Sequence, residues 1–309
     1  MKLYNISYHN MQHSKPKIDN EEQTYRSSTI QRRELPEESN ITTEHKWLLK
    51  IMTYNVWNNK SYWQERIGSI IRILKDLKPD VACLLDVNEV QYSMLRDALD
   101  TIYTIFQGFI DENKKAGTVF FCNKKTVDII DQPYFYDYNF TNGCVIGVEI
   151  LIKSSGNKVN VVATELDKVP ANDHIRADQI KMIQQVLKPL KHFILVGDFN
   201  IYNYREEGET KLTQCKLVDS WSKLGCPSKI KYTYDCKKNN CFKFTDKNDR
   251  TQLRNSRIYY NDTKQIEIKG LSLIGLEHIN PQIPIPPSCF YGLMGTFQSI
   301  KKRQTLLED

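Results

Sequence analysis

The sequence lacks the signatures of several protein classes. Its eight cysteines form no Cys-x-x-Cys pair and follow no repeated spacing, and several lie within apolar runs, as buried free thiols do. No apolar run approaches the ~20 residues of a membrane span, and the first twenty residues hold no apolar block of the secretory type. No internal repeat is visible. We therefore expect an intracellular protein in a reducing compartment, without choosing between mitochondrion, nucleus and cytosol.

A strong charge of one sign is also missing. The 43 Lys and Arg residues are interspersed with 37 Asp and Glu residues, which leaves a net charge of +6. This balance permits contact with nucleic acid or another polyanion but is too small for a dedicated basic surface. What the chain does have is length, since 309 residues with 40% hydrophobic side chains are enough for one large α/β core.

The first 46 residues differ from the rest of the chain. They are rich in Asn, Gln, Ser, Thr, Lys and Glu, and their isolated apolar residues follow neither a helical nor a strand period. His9 and His13 are four apart, but no further ligand is near and we interpret them as solvated. We expect a polar arm at 1–46, disordered or bound to a protein partner, one domain at 47–300 and a short basic and acidic tail at 301–309.

Apolar runs alternate with amphipathic patterns from Trp47 onward. Helical spacing predicts helices at 64–77, 92–99 and 174–187. Buried or alternating apolar runs predict strands at 48–56, 79–85, 117–121, 144–152, 158–164, 193–200, 258–260, 265–274 and 293–297. The pattern favours two packed sheets flanked by helices.

One strand ends in a polar tetrad. Residues 193–196 are apolar and lead into Gly197, Asp198, Phe199 and Asn200. Such an ending presents a carboxylate and a carboxamide just outside a sheet, where a phosphate and an attacking water can be held. The tetrad is also ordinary turn chemistry, so other motifs must decide between the two interpretations.

Further motifs occur in one order at domain-sized separations. They are Thr53–Val56, Pro79–Asp86, Thr164–Leu166, Gly197–Asn200, Arg257–Tyr260 and Ser288–Leu293. This order resembles the endonuclease/exonuclease/phosphatase superfamily, and over roughly residues 48–298 it is most similar to the 5′-tyrosyl-DNA phosphodiesterases. The closer likeness is carried by Glu65-Arg66, 218–221 with 232–235, 254–260 and 273–277. The resemblance implies an α/β fold, a four-layer αββα sandwich of two mostly antiparallel sheets flanked by helices, with one magnesium ion and a catalytic site at one end of the sheets.

Part of the implied site is retained. By the resemblance, Asn55 corresponds to the asparagine that helps hold the phosphate and the metal shell. Asp198 corresponds to the general base and Asn200 to its phosphate-contacting neighbour. Asp86 stands where the family has a metal-binding glutamate. Its side chain is one methylene shorter, so we expect weaker binding of a cation that demands octahedral oxygen geometry.

The other implied positions are replaced. Glu165 stands for a histidine, Ser256 for an aspartate, and Cys289 with Phe290 for an Asp-His pair. Loss of one preorganised donor typically costs about 10²–10³ in rate, and none of the four replacements looks compensatory. The alternative is a shifted alignment with a functional group nearby, for which the candidates are Glu89, Asp235, Asp246, Asp249 and His278.

These substitutions lead us to expect a catalytically inactive phosphodiesterase-like domain. Its role would be that of a structural or binding subunit in a larger assembly, including one that contains nucleic acid, with protein partners contacted through residues 1–46. No cofactor is expected, and magnesium only if activity remains. Two alternatives stay open. One is an active, divergent magnesium-dependent phosphodiesterase acting on DNA or RNA ends or 5′-tyrosyl-DNA adducts, and the other is a non-catalytic nucleic-acid binder.

Overall fold

A computed structural model describes residues 47–108, 116–138, 143–241, 249–263 and 265–299. The predictions for the arm 1–46, including His9 and His13, for the tail 301–309 and for Asp246 lie outside these residues. The helices are α1 (Trp63–Leu77), α2 (Glu89–Leu99), α3 (Asp173–Leu187), α4 (Glu207–Gln214) and α5 (Ser220–Lys223). The strands are β1 (Trp47–Asn55), β2 (Val81–Val87), β3 (Tyr103–Gln107), β4 (Gly117–Asn123), β5 (Val127–Ile129), β6 (Tyr134–Asp137), β7 (Cys144–Ile152), β8 (Lys158–Glu165), β9 (Phe193–Asp198), β10 (Val218–Asp219), β11 (Tyr234–Asp235), β12 (Gln252–Leu253), β13 (Ser256–Tyr260), β14 (Ile266–Ile274) and β15 (Gly292–Ser299).

The long strands form two sheets. The first has the order β14-β15-β1-β2-β4-β3, and the second has the order β10-β13-β9-β8-β7-β5 with β6 also paired to β7. Within the described residues, β1–β2 and β8–β9 are parallel, and the other pairs of these two sheets are antiparallel. Strands β11 and β12 make a separate small ribbon.

Three apolar layers hold the sheets and helices together. Between the sheets, residues such as Phe120 and Val161 form one buried cluster. A second cluster packs α1 and α2, for example through Ile70, on the outer face of the first sheet. A third packs α3 and α4, for example through Ile180 and Leu212, on the second. The predicted four-layer αββα sandwich of mostly antiparallel sheets is therefore confirmed.

Local signals explain where the first helices begin and end. Lys78 closes α1 in a left-handed conformation at φ 45°, and Pro79 follows, which disfavours further helix. The side chain of Asn88 accepts from the backbone N–H of Gln91 at 2.9 Å, and the side chain of Gln91 accepts from that of Asn88 at 3.0 Å. This capping box starts α2 at Glu89, earlier than the periodicity of its apolar residues predicts.

The topology brings several polar strand ends to one edge of the sandwich. In the parallel pairs, Asn55 lies opposite Leu85, just before Asp86, and Glu165 lies opposite Asp198. Strand β13 begins with Ser256 directly opposite Asp198. The carboxyl ends of parallel strands meet at one edge of a sheet, which is where α/β proteins commonly bind ligands. Over the described residues, none of the helices has the length and apolarity to cross a membrane.

Candidate functional site

A cavity of about 550 Å³ opens at this edge. Six of the eight residues singled out by the sequence line it, namely Asn55, Asp86, Glu165, Asn200, Cys289 and Phe290. The other two, Asp198 and Ser256, are fully buried and hydrogen-bonded to each other. The remaining lining residues include Trp57, Lys168, Tyr202, Tyr234 and Asp249. The structure thus assembles the predicted positions in one place, with the expected general base behind the cavity wall.

Asp198 is engaged by two side-chain donors. The Nδ2 of Asn55 donates to its Oδ2 at 2.8 Å, and the Oγ of Ser256 donates to its Oδ1 at 2.6 Å. Burial raises the pKa of Asp198, while these two hydrogen bonds oppose the rise. Ser256 therefore supplies a hydrogen-bond donor to this buried carboxylate. An ionised aspartate at position 256 would repel it. The contact from Ser256 is structural, and the predicted catalytic loss at position 256 stays a prediction.

Gly197 fixes the backbone ahead of Asp198. Its φ of 136° is in a region that side chains rarely adopt, and a Cβ there would lie 1.8 Å from the carbonyl oxygen of Thr164. Only glycine lets strands β8 and β9 approach this closely. The first residue of the tetrad is thus required by the sheet, whatever chemistry follows it.

The two retained asparagines use their amides inside the protein. The Oδ1 of Asn55 accepts from the backbone N–H of Trp57 at 2.9 Å, while its Nδ2 is bonded to Asp198. Asn200 is left-handed at φ 49°, a conformation that asparagine tolerates, and its Nδ2 donates to the carbonyl oxygen of Leu166 at 2.7 Å. Both side chains line the cavity, and each amide nitrogen already donates one hydrogen bond within the protein.

Asp86 and Glu165 share the cavity with a lysine that the sequence reasoning missed. The Nζ of Lys168 lies 3.6 Å from the Oδ1 of Asp86, and the Oδ2 of Asp86 accepts from the backbone N–H of Asn58 at 2.9 Å. Burial and then the charge of Asp86 raise the pKa of Glu165 to about 8. Burial lowers the pKa of Lys168, but the charges of Glu165 and Asp86 outweigh it, so the pKa of Lys168 lies above its ordinary value. No motif announces Lys168, because only the fold places it beside the two acids.

Cys289 and Phe290 present no charged group to the cavity. Cys289 is buried in an apolar cluster with Cys236 and Cys241, and burial raises the pKa of its thiol. The ring of Phe290 packs on Tyr234 with centroids 5.3 Å apart. The preceding serine keeps a structural task, since the Oγ of Ser288 donates to the carbonyl oxygen of Asn55 at 2.7 Å.

Most alternative acids and bases lie elsewhere. Glu89 is exposed in the first turn of α2, and His278 is exposed as well. Asp235 is buried and accepts from the backbone N–H groups of Lys237 and Lys238. Asp249 does line the cavity. It is half-buried, and one of its oxygens accepts from the backbone N–H of Thr251 at 2.8 Å.

The arrangement of donors does not suit a divalent cation. Within the described ranges, no three His, Cys, Asp or Glu side chains are grouped as metal ligands. Both oxygens of Asp198 accept hydrogen bonds, the raised pKa of Glu165 favours its protonated form at neutral pH, and Asp86 faces an ammonium group. Magnesium is commonly held by one or two ionised carboxylates together with waters; here Asp86 is the carboxylate that could serve, and the Lys168 ammonium competes for it.

Arg66, in the pair that carried part of the resemblance, is structural. It is fully buried and donates to the carbonyl oxygens of Val56, Ser61, Asn59 and Pro287 at 2.6–3.3 Å. Its guanidinium lies 4.6 Å from the ring centroid of Trp57. The first helix therefore fixes the loop that follows β1 and, with it, one wall of the cavity.

Comparisons with known proteins agree with this architecture. Tyrosyl-DNA phosphodiesterase 2 of Xenopus tropicalis is 28% identical over 281 residues, covering 85% of this chain and 69% of the relative. The Xenopus laevis protein of that name is 28% identical over 296 residues, covering 90% and 71%. A crystal structure of D. rerio TDP2 complexed with single strand DNA product gives a TM-score of 0.71 at 19% identity, covering 81% of this chain and 98% of that one. This structural likeness shows a shared fold.

A family profile decides the wider assignment. The profile of the Endonuclease/Exonuclease/phosphatase family matches residues 52–213, more than half of the 309 residues. The matched segment runs from the end of β1 through β9 and contains Asn55, Asp86 and Asp198. The predicted resemblance, including its likeness to tyrosyl-DNA phosphodiesterases, is thereby confirmed. The chain belongs to the Endonuclease/Exonuclease/phosphatase family.

Proposed function

We propose that this protein is a catalytically silent member of its family that serves as a binding or structural module. The main support is the environment of Asp198, the residue at the position of the family's general base. Its side chain is fully buried, and each carboxylate oxygen already accepts a hydrogen bond from Asn55 or Ser256. A general base must reach the proton that it removes, directly or through one water. Asp198 would first have to break buried hydrogen bonds.

The cavity wall supports the same proposal. Phe290 offers an apolar ring, and Glu165 offers a carboxyl that repels a phosphate whenever it is ionised. Stabilisation of a phosphoryl transition state depends on fixed donors and positive charge aimed at its oxygens. Among the described lining residues, Lys168 is the only cation, and its ammonium forms an ion pair with Asp86.

Turnover is the direct test. Purified full-length protein would be incubated with 5′-tyrosyl DNA and with a general phosphodiester substrate in magnesium buffer, beside an Asp198→Ala variant. We expect both proteins to give the same background rate. Magnesium-dependent cleavage by the wild type that is lost in Asp198→Ala would refute catalytic silence.

The same samples distinguish the kinds of binding partner. D. rerio TDP2 has been crystallised with a single-strand DNA product, and Trp57, Tyr202, Tyr234 and Phe290 line the cavity here. Aromatic side chains are the usual stacking surfaces for single-stranded bases. Salt-sensitive binding of fluorescent single-stranded DNA without cleavage would assign a nucleic-acid partner. Failure to bind single-stranded DNA would favour a structural role in which the partner is another protein.

A further inference from the structure

The loop between β8 and α3 is held along most of its length. The carbonyl oxygen of Leu166 accepts from Asn200 at 2.7 Å, and that of Lys168 accepts from the Oη of Tyr202 at 2.7 Å. The guanidinium of Arg176 donates hydrogen bonds to the carbonyl oxygens of Asp167, Val169 and Pro170 at 2.7–3.3 Å. Each carbonyl from residue 166 to residue 170 therefore has a side-chain donor.

The brace on this loop is itself rigid. Arg176 is fully buried, and its guanidinium is paired with the carboxylate of Glu206 at 2.8 Å. The amide nitrogen of Asp167 donates to the side chain of Gln179 at 2.8 Å. A long surface side chain usually loses rotamer freedom when it forms an ion pair. Here the backbone that carries Lys168 is fixed beforehand, so only the lysine side chain remains to be ordered.

The ammonium of Lys168 lies beside one acid of the cavity and shares the cavity with a second. Its Nζ is 3.6 Å from the Oδ1 of Asp86, and Glu165 lines the same cavity. In the part of the lining that the structure describes, no other cation is present. A cluster of carboxylates requires a counter-charge, and Lys168 supplies it here.

We propose that the ammonium of Lys168 is the resident cation of this site and occupies the place of a divalent ion. A lysine ammonium is a compact point charge that needs no octahedral set of oxygens. It carries one positive charge where magnesium carries two. The inference deepens the proposed function, because a site neutralised by its own lysine does not need a metal.

Magnesium binding, measured by titration calorimetry, tests the proposal without using turnover. The wild type is compared with Lys168→Met, which removes the charge, and with Lys168→Arg, which keeps it. We expect Lys168→Met to bind magnesium about tenfold more tightly than the wild type, because the cation then no longer competes with an ammonium near Asp86. Lys168→Arg should behave like the wild type.

A matched control is available on α3. The Nζ of Lys181 lies 2.7 Å from Asp178, and its side chain is 48% exposed, against 57% for Lys168. Lys181→Met should leave magnesium affinity unchanged, and adding Asp86→Asn to Lys168→Met should abolish the gain. Equal magnesium affinity in the wild type and Lys168→Met, whether tight or undetectable, would overturn the proposal. Catalytic silence could still hold in that case, so the two ideas can fail separately.

Discussion

Ser256 shows how one residue can stabilise a buried carboxylate at the candidate site. Its hydroxyl donates to Asp198, and its backbone N–H donates to the Oγ1 of Thr233 at 2.9 Å. The serine therefore joins the carboxylate to the loop before β11. A buried carboxylate oxygen without a donor costs more than an ordinary hydrogen bond contributes.

Substitution of Ser256 by alanine should destabilise the protein. The Oδ1 of Asp198 would lose its recorded donor in a fully buried position, so we expect the free energy of unfolding to fall by about 1–3 kcal/mol. Urea denaturation at neutral pH measures the change.

The control is another fully buried serine. Among the residues that the structure describes, the Oγ of Ser220 has no hydrogen-bond partner, so Ser220→Ala should be neutral or slightly stabilising. An equal loss of stability in both variants would show that the bond to Asp198 contributes nothing specific.

Glu165 predicts a dependence of stability on pH. Its pKa is about 8 in the folded chain against an ordinary value of 4.5, because of burial and then the charge of Asp86. The folded state thus holds this proton more tightly than the unfolded state. The contribution of this group to stability is present below the ordinary value and is lost as pH rises through about 8.

Glu165→Gln should remove this dependence. We expect the variant to match the wild type near pH 5 and to exceed its free energy of unfolding by roughly 1–3 kcal/mol near pH 9. Urea denaturation across that range measures the difference, in which the other titrating groups cancel. Glu277→Gln, at an exposed glutamate outside the cavity, is the control. A constant difference at all pH values would contradict a raised pKa for Glu165.

At the scale of elements, Arg176 on α3 connects three segments. It joins its own helix to the loop 166–170 and to Glu206, which precedes α4. Glu206 in turn accepts from the backbone N–H groups of Tyr202 and Asn203 at 2.8 and 3.0 Å. One buried ion pair thus holds both loops that follow the parallel strands β8 and β9.

Removal of this arginine should be severe. Arg176→Met leaves a nearly buried carboxylate and several carbonyl oxygens without their donor, so we expect a loss of about 3–5 kcal/mol. Hydrogen exchange at the amides of Asp167 and Val169 should also accelerate beyond the change in global stability. Arg205→Met, at an exposed arginine stacked on Tyr204, should change stability by no more than about 0.5 kcal/mol. Equal effects of the two substitutions would rule out the bracing role.

The long elements could be predicted from sequence, and the short ones could not. Strand β7 has the predicted bounds of 144–152, and α1 and α3 each begin one residue before their predicted start, because apolar periodicity extends over their length. Helix α4 was missed since its cap comes from elsewhere. The side chain of Asp173 accepts from the backbone N–H groups of Glu207 and Gly208. Strands β5, β10, β11 and β12 have only two or three residues, too few for a period.

At the scale of the molecule, the sandwich is independent of the site. Three apolar clusters hold its layers, and each buried aliphatic side chain contributes ~1.5–3 kcal/mol. The positions of Asn55, Asp86 and Asp198 could be predicted because strand ends recur in a fixed order. Their partners could not. These partners depend on contacts between residues that are distant in the chain. They include the two donors to Asp198, the donors to the carbonyls of 166–170, and Lys168 beside Asp86.

The place of β15 has a consequence for how the chain reaches this structure. Strand β15 lies between β14 and β1. The first strand, β1, therefore pairs with the last strand, β15, which is synthesised much later. A ribosome must therefore add residue 299 before the first sheet can close, and β1 stays an open edge during most of synthesis. Pairing over such separations is slow, and unpaired edges invite aggregation. The growing chain is thus an expected client for chaperones that shield exposed strands.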